Sequence, residues 1–342
     1  MKKFTKMLLS ALLCVSAAAC GAATDEGQPA SATAETTTTT ETTAGDDTVY
    51  TVGIVQLVQH VALDASAEGF MDALKEELGE DKVTFDYQNA SGDSATCSTI
   101  VSSFVTENAD LILAIATPAL QAAANGTADI PVLGTAITEY GTALSIDDFN
   151  GTVGTNVSGT SDLAPLDQQA AMFDELVPDA KTIGIIYCTA EANSKYQADE
   201  VQKALEAAGK TVNIYTFTDS NDVQAVVTSA VAEVDALYIP TDNTAASNTG
   251  LIDPVALEAG VPVICGEEGI MTGCGIATLS IDYYELGKTT GVMAAKILKG
   301  EANVSEMPIE YYQNPVKEYD EARCEALGIT VPSEYKAVAR PE

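Results

Sequence analysis

The chain has 342 residues, 46% of them hydrophobic and 6% aromatic, with no tryptophan and a formal net charge of −34 at pH 7. Fifty acidic residues against 16 basic ones exclude nucleic acid and anionic lipid surfaces as partners, because either would be repelled by such a field. Beyond residue 48 the chain is long enough for two lobes of ordinary domain size, and no apolar run in it is long enough to span a membrane.

The first twenty residues, MKKFTKMLLSALLCVSAAAC, place three lysines before an apolar run and a small-residue stretch, the layout of a secretory signal. Ala17 to Ala19 before a cysteine resemble a bacterial lipobox, so Cys20 is the expected site of lipidation. Ala17 replaces the usual leucine, which leaves ordinary cleavage near Ala19 as the alternative. Either outcome puts the mature protein outside the cytoplasm, with the lipid anchor holding it at the cell membrane. Residues 21–48, rich in threonine and glutamate, lack large apolar side chains and read as a disordered tether. Removing the leader takes away Lys2, Lys3 and Lys6 and no acid, leaving 13 basic against 50 acidic residues, a net −37. The acids fall mostly on helix faces such as 72–80, as a solvated surface would have them.

Short apolar strands then alternate with amphipathic helices, the pattern of parallel sheets covered by helices on both faces. The first series predicts strands at 50–56, 82–88, 110–116 and 131–137, with helices near 62–78, 93–107 and 118–125. A second series predicts strands at 182–188, 211–217, 235–240 and 262–266, with helices near 163–176, 194–208, 222–231 and 245–259. One more strand and helix fill 275–300, followed by an irregular tail. Two tandem halves with a late extra unit suit an α/β fold of two doubly wound lobes whose chain crosses between them near Gly159, Asp282 and Pro308. The expected division is 49–159 with 283–308 for one lobe and 160–282 with 309–342 for the other. The loops after the strands would converge on one cleft.

Nothing in the chain supplies the machinery of an enzyme, a metal centre or a cofactor site. His60 is the single histidine, and there is no G-x-G-x-x-G, no phosphate-binding loop and no H-E-x-x-H. Five cysteines follow the tether, Cys97, Cys188, Cys265, Cys274 and Cys324, an odd number at irregular spacing that makes no disulfide framework. They read as buried small hydrophobes, with a Cys265–Cys274 bridge left open.

The cleft-facing loops carry the binding chemistry. His60 and Asp64 lie in QLVQHVALD after the first strand; for His60, contact with a ligand and capping of the loop are both open. Thr117-Pro118 starts a helix whose unpaired amides, beside the Thr117 hydroxyl, suit a carboxylate. Asn193-Ser194 and Thr241-Asp242-Asn243 repeat the arrangement, although helix capping alone would use the same residue types. Only two arginines exist, Arg323 and Arg340, so a bidentate clamp on an acidic ligand is not expected. Glu191, Asp242 or Asp282 could pair with a ligand ammonium, and Tyr140 and Tyr283 could offer aromatic walls. That balance is what an α-amino acid requires.

With IATPA, EANS, PTDN and DYYELG in order, and GIVQLVQHVALD and TFDYQNASGD ahead of them, the stretch from Gly53 to Gly300 resembles the ABC-type solute-binding family that includes tryptophan- and tyrosine-binding lipoproteins. The resemblance implies a type I periplasmic-binding fold that encloses a small ligand, often an aromatic amino acid, and delivers it to permease and ATPase subunits. Carried over by motif, Thr117, Pro118, Glu191, Asn193, Ser194, Thr241, Asp242, Asn243 and Asp282 become pocket residues. Val61 stands where the family commonly has proline, and ITEY at 137–140 where it has V-T-D-P, both at the cleft. A sugar or nucleoside ligand, or service as a sensor ectodomain, are the rival readings.

Overall fold

The computed structural model describes residues 48–339; the leader, Cys14, Cys20, the tether as far as residue 47, and Arg340 lie outside the described residues. Two sheets organise it. The first contains β1 (Tyr50–Gln56), β2 (Val83–Asn89), β3 (Leu111–Ile115), β4 (Val132–Ile137), β5 (Val157–Ser161) and, far along the chain, β11 (Glu310–Tyr311). Their order is β11-β5-β4-β3-β1-β2, with every neighbouring pair parallel. The second contains β6 (Thr182–Cys188), β7 (Thr211–Phe217), β8 (Ala236–Ile239), β9 (Val263–Cys265), β10 (Ala277–Ser280), β12 (Val316–Asp320) and β13 (Lys336–Val338), in the order β13-β12-β10-β9-β8-β6-β7. Only β12 against β10 runs antiparallel there. The inner strands β3, β4 and β8 are buried along their whole length, because helices cover both faces and no face is left for polar alternation.

The first lobe carries α1 (Val61–Leu78), α2 (Ser94–Thr106), α3 (Thr117–Gly126) and α4 (Tyr140–Leu144). The second carries α5 (Leu166–Leu176), α6 (Ala192–Ala207), α7 (Val223–Val231), α8 (Asn243–Ala246), α9 (Thr249–Ala259), α10 (Glu268–Cys274) and α12 (Glu321–Leu327). Helix α11 (Tyr283–Leu298) leaves the second sheet and packs on α1, with Leu286, Met293 and Ala294 in the first lobe's core. The two helices touch backbone to backbone, since a Cβ on Gly69 would collide with the Tyr284 carbonyl and one on Gly287 with the Ser66 carbonyl.

This is the two-lobed, three-crossing type I architecture, and the crossings are the hinge. The strand β5 straddles the boundary expected at Gly159, so the first crossing follows Ser161. The second falls at Ile281–Asp282, between β10 and α11. The third lies between β11, paired to β5 in the first sheet, and β12 in the second, a few residues after the expected Pro308.

Elsewhere several elements depart from expectation, among them β5, α4 and α10, which no expected strand or helix covers. The helix expected over 245–259 splits into α8 and α9, because the Asn248 side chain takes the Thr244 carbonyl at 2.7 Å while its backbone N–H turns to the Ala245 carbonyl at 3.0 Å. The tail forms β11, β12, α12 and β13 where irregular chain is expected. All five described cysteines are buried free thiols, so Cys265 and Cys274 are not bridged.

Candidate functional site

The cleft is built where the C-terminal ends of the two sheets face each other. Across the first sheet the strand ends deliver, in spatial order, Asp162 after β5, Thr138 after β4, Thr117 after β3 and the segment 57–60 after β1. Across the second they deliver Glu191 and Asn193 after β6, the segment 241–243 after β8, and Glu267 after β9. Helix α3 begins at Ala116, whose φ of 80° puts a non-glycine residue in the left-handed region and turns the chain sharply off the strand. No side chain caps α3, so the amides of its first turn keep no intrahelical acceptor and sit beside the Thr117 hydroxyl.

In the second lobe the EANS and PTDN segments hold one another. Glu191 Oε2 accepts from the Asn243 backbone N–H at 3.0 Å and side-chain amide at 2.6 Å, and Oε1 accepts from the Thr244 N–H at 2.9 Å and hydroxyl at 2.8 Å. Asp242 accepts from the Cys188 and Ala245 N–H groups, at 2.7 and 2.8 Å. Its carboxyl is pushed up by burial and by the neighbouring charge of Glu191. The Thr241 carbonyl takes the Asn193 amide at 2.9 Å, the Gln197 amide at 3.3 Å and the Ser194 hydroxyl at 3.5 Å. Glu191, Asp242 and Ser194 therefore work as scaffold. The oxygens of Glu191 and Asp242, expected as partners of a ligand ammonium, serve these N–H and O–H groups of the lobe itself.

Three other expected residues also serve the lobes themselves. Asp282 is exposed and caps α11 through the Glu285 N–H at 3.0 Å. Asp64 accepts from the Gln56 amide at 2.7 Å, inside the first lobe. Tyr140 is no cleft wall: it is 1% exposed, and its hydroxyl donates to the Gly134 and Thr160 carbonyls at 3.1 Å, joining β4 to β5. Pro118 and Asn243 line a cavity of about 300 Å³ at the cleft mouth, between Leu57 and Ser94 on one side and Glu191 and Ser220 on the other.

What remains is a set of buried polar atoms without partners at the lobe interface: His60 Nδ1, Thr117 Oγ1, Asp162 Oδ1 and Asn193 Oδ1. A buried polar group without a partner costs about 1–3 kcal/mol, so each of these atoms calls for a partner that the described residues do not supply. Asp162 is 5% exposed; Oδ2 accepts from the Tyr283 hydroxyl at 3.0 Å, and burial pushes the carboxyl up to about 6. His60 Nε2 meets Asn243 Oδ1 at 3.2 Å across the cleft. The Asn243 amide nitrogen is committed to Glu191, so Oδ1 is an acceptor and Nε2 must be the donor. Burial also lowers the His60 pKa, so the ring is neutral near pH 7 and Nδ1 presents a lone pair. The Gln197 amide reaches Thr138 Oγ1 across the cleft at 3.4 Å, and with the His60 contact it holds the lobes closed. Arg323 shares an outer cavity of about 460 Å³ with His60. Its donors go to Asp253, Asp320 and the carbonyls of Met271, Thr272, Gly273 and Gly275.

Asp162, Thr138, Gln197 and Glu267 are not among the expected residues. Asp162 follows VSGTS, a strand with a single bulky apolar side chain that reads as a crossing. Strand β5 itself was the signal that could have found it.

Comparison with known proteins shows the family and the fold. Residues 51–340 match the family model for ABC transporter substrate binding protein. The tyrosine-binding protein of Clostridioides difficile (strain R20291) is 38% identical over 263 residues, covering 75% of each chain. A Streptococcus pneumonia ABC domain solved in complex with L-Trp is 33% identical, covers 85% of this chain and all of its own, and superposes with a TM-score of 0.82. The ligand-free, open structure of a Clostridium difficile substrate binding protein with adhesive properties is more identical, 39% with 86% and 100% coverage, yet its TM-score is 0.66. Higher identity with poorer superposition is what a closed chain gives against an open one. These relatives are solute-binding proteins, not enzymes.

Proposed function

The chain belongs to the ABC transporter substrate binding proteins, which work outside the cytoplasm, and from that premise we propose that it captures an aromatic α-amino acid and delivers it to an ABC importer. The observation that carries the reading is the set of four unpartnered atoms. Asp162 Oδ1 is a buried carboxylate oxygen without a protein partner, and it takes the ligand ammonium. The uncapped start of α3 and the Thr117 hydroxyl take the carboxylate, as helix N-termini do for anions. His60 Nδ1 and Asn193 Oδ1 accept from the remaining ammonium hydrogens or from an indole N–H or phenol O–H. A sugar would bring hydroxyls and no charge to a site whose free groups include a carboxylate.

Binding couples to closure. Donors from a ligand that touches both lobes stabilise the closed form selectively, and the importer reads that shape. The lobes are divided, on this reading, at the sheet boundaries: 49–161 with 283–311, and 162–282 with 312–339. Cys20 carries the lipid, and the tether spans from membrane to lobes; a Cys20→Ala chain is then released into the medium, whereas continued membrane retention would count against the anchor.

A thermal-shift screen of the chain from Thr48 onward tests the ligand class, since a tight ligand raises Tm by mass action. L-tryptophan or L-tyrosine should raise Tm, and inositol, glucose and adenosine should not. A sugar or nucleoside that stabilises the protein while every aromatic amino acid fails would overturn the proposal.

A further inference from the structure

On the hinge side of the cleft lies a separate cavity of about 320 Å³ with walls from both lobes: Val61 at the start of α1, Glu268 at the start of α10, Glu318 on β12, and Tyr284 and Tyr312 along the hinge. None of the four atoms that define the cleft site belongs to a residue lining it. Glu318 is 6% exposed. Its Oε1 takes the Lys336 ammonium at 3.0 Å, but Oε2 is buried without a partner. Thr278, directly across the β10–β12 pair, does not supply one, for its own hydroxyl is unpartnered too. A carboxylate oxygen can only accept, so Oε2 calls for an N–H or O–H donor.

The charges around the cavity narrow the donor. Glu318, Glu268 and Asp282 face it against the single cation Lys336, whose side chain is 67% exposed. Glu267 also lines it, with both oxygens engaged by the Gly269 and Ile270 N–H groups. The excess is negative, and the tyrosine rings add faces that attract cations. No three His, Cys, Asp or Glu side chains converge as metal ligands among the described residues.

We infer that this cavity is a second ligand site, for a small protonated amine. The amine donates to Glu318 Oε2, lays its methylenes along the tyrosines and balances the carboxylates. Because α1 and α10 supply opposite walls, the cavity is complete only when the lobes are closed. An amine bound there tightens the cleft ligand, and by reciprocity the cleft ligand tightens the amine. The inference does not rest on which amino acid fills the cleft.

Calorimetric titration of 1,4-diaminobutane at fixed ionic strength, into the wild type and the Asp162→Asn, Glu318→Gln and Lys336→Met variants, tests it. The wild type should bind, Asp162→Asn at least as tightly because its closed form buries no bare carboxylate there, Glu318→Gln about tenfold or more weakly than wild type, and Lys336→Met more tightly because its competing ammonium is gone. Lys336 is exposed and its replacement keeps the Glu318 carboxylate, so this variant gives a second reading if Glu318→Gln lowers stability. Absence of binding to the wild type overturns the inference. So does binding that Asp162→Asn removes and Glu318→Gln does not, which would put the amine in the cleft. A failure of aromatic amino acids to bind, with these amine results intact, would sink only the function proposed above.

Discussion

Replacing Asp162 with asparagine should make the ligand-free protein more stable and the receptor worse. Burial raises this carboxyl from its ordinary 3.8 to about 6, against hydrogen bonds from Thr138, Tyr283 and its own backbone that pull it down. The folded chain therefore holds this proton more tightly than the unfolded chain does. Stability from this group is highest below about pH 4 and falls as pH rises toward 6; above that, the ionised form costs the fold about 3 kcal/mol, two pKa units at 1.36 kcal/mol each. Asparagine keeps an acceptor for the Tyr283 hydroxyl and carries no charge, so the variant recovers most of that penalty at pH 7. The penalty belongs to the closed form, where the carboxyl is buried, so for a folded part of this size the gain is a rise in Tm of at most roughly 5 °C, smaller in proportion to the open form, where water reaches Asp162, and shrinking to nothing near pH 4. Binding moves the other way. A hydrogen bond to a charged group contributes about 1.5–3 kcal/mol, so Kd should rise by about ten- to a hundredfold. In the wild type, affinity should fall by about tenfold per pH unit below 6, as Asp162 takes up its proton. Scanning calorimetry of ligand-free protein from pH 4 to 7.5, with titration calorimetry for L-tryptophan and L-tyrosine, reads both effects. An Asp162→Asn protein that is less stable than wild type at pH 7 and binds as tightly would refute the reasoning.

Thr117→Ala should weaken amino-acid binding by about 0.5–1.5 kcal/mol with no loss of Tm, since the hydroxyl has no protein partner to lose; titration beside a melting curve checks it. Asp242→Ala should instead lower Tm, because the Cys188 and Ala245 N–H groups lose their acceptor. Gly287→Ala should destabilise by about 1–3 kcal/mol or more in urea unfolding, because its Cβ meets the Ser66 carbonyl and backbone cannot rotate away. Thiol titration of the native chain from Thr48 with a chromogenic disulfide at pH 8 should give almost no reaction: all five cysteines are buried, and burial pushes Cys97 and Cys188 up to about 11. Rapid release from the native protein would contradict the packing of both lobes.

The alternation of apolar strand and helix made the sheets legible, because parallel strands buried on both faces must be continuous apolar runs, as LILAI and ALYI are. Strand β5 escaped for the converse reason: VSGTS carries one bulky apolar side chain, and its burial comes from its place between β4 and β11. The tail strands β12 and β13 escaped because VKEYD owes its pairing to β10, well before it in sequence, and KAV its pairing to β12. For the site, the loop positions of His60, Thr117, Asn193 and Asn243 were legible from the strands they follow. Which acids in those loops were free was not. Glu191, Asp242 and Asp282 look like ammonium partners by charge and place, but each is engaged by backbone N–H groups that only the folded chain brings within 3 Å or so of it.

That distinction also supplies a force for the hinge. In an open cleft, water serves His60 Nδ1, Thr117 Oγ1, Asp162 Oδ1 and Asn193 Oδ1; closure strips it away. At about 1 kcal/mol each, the low end for a buried unpartnered group, closing empty costs about 4 kcal/mol. The cross-lobe bonds His60–Asn243 and Gln197–Thr138, at 3.2 and 3.4 Å, return about 0.5–1.5 kcal/mol each and do not cover it at the middle of that range. A ligand that fills all four removes the penalty and leaves the cross-lobe bonds as profit, so its differential affinity for the closed form is of the size that moves a two-state hinge from mostly open to mostly closed. A ligand that reaches only one lobe would bind without closing, and small-angle scattering would show the empty dimensions at saturation.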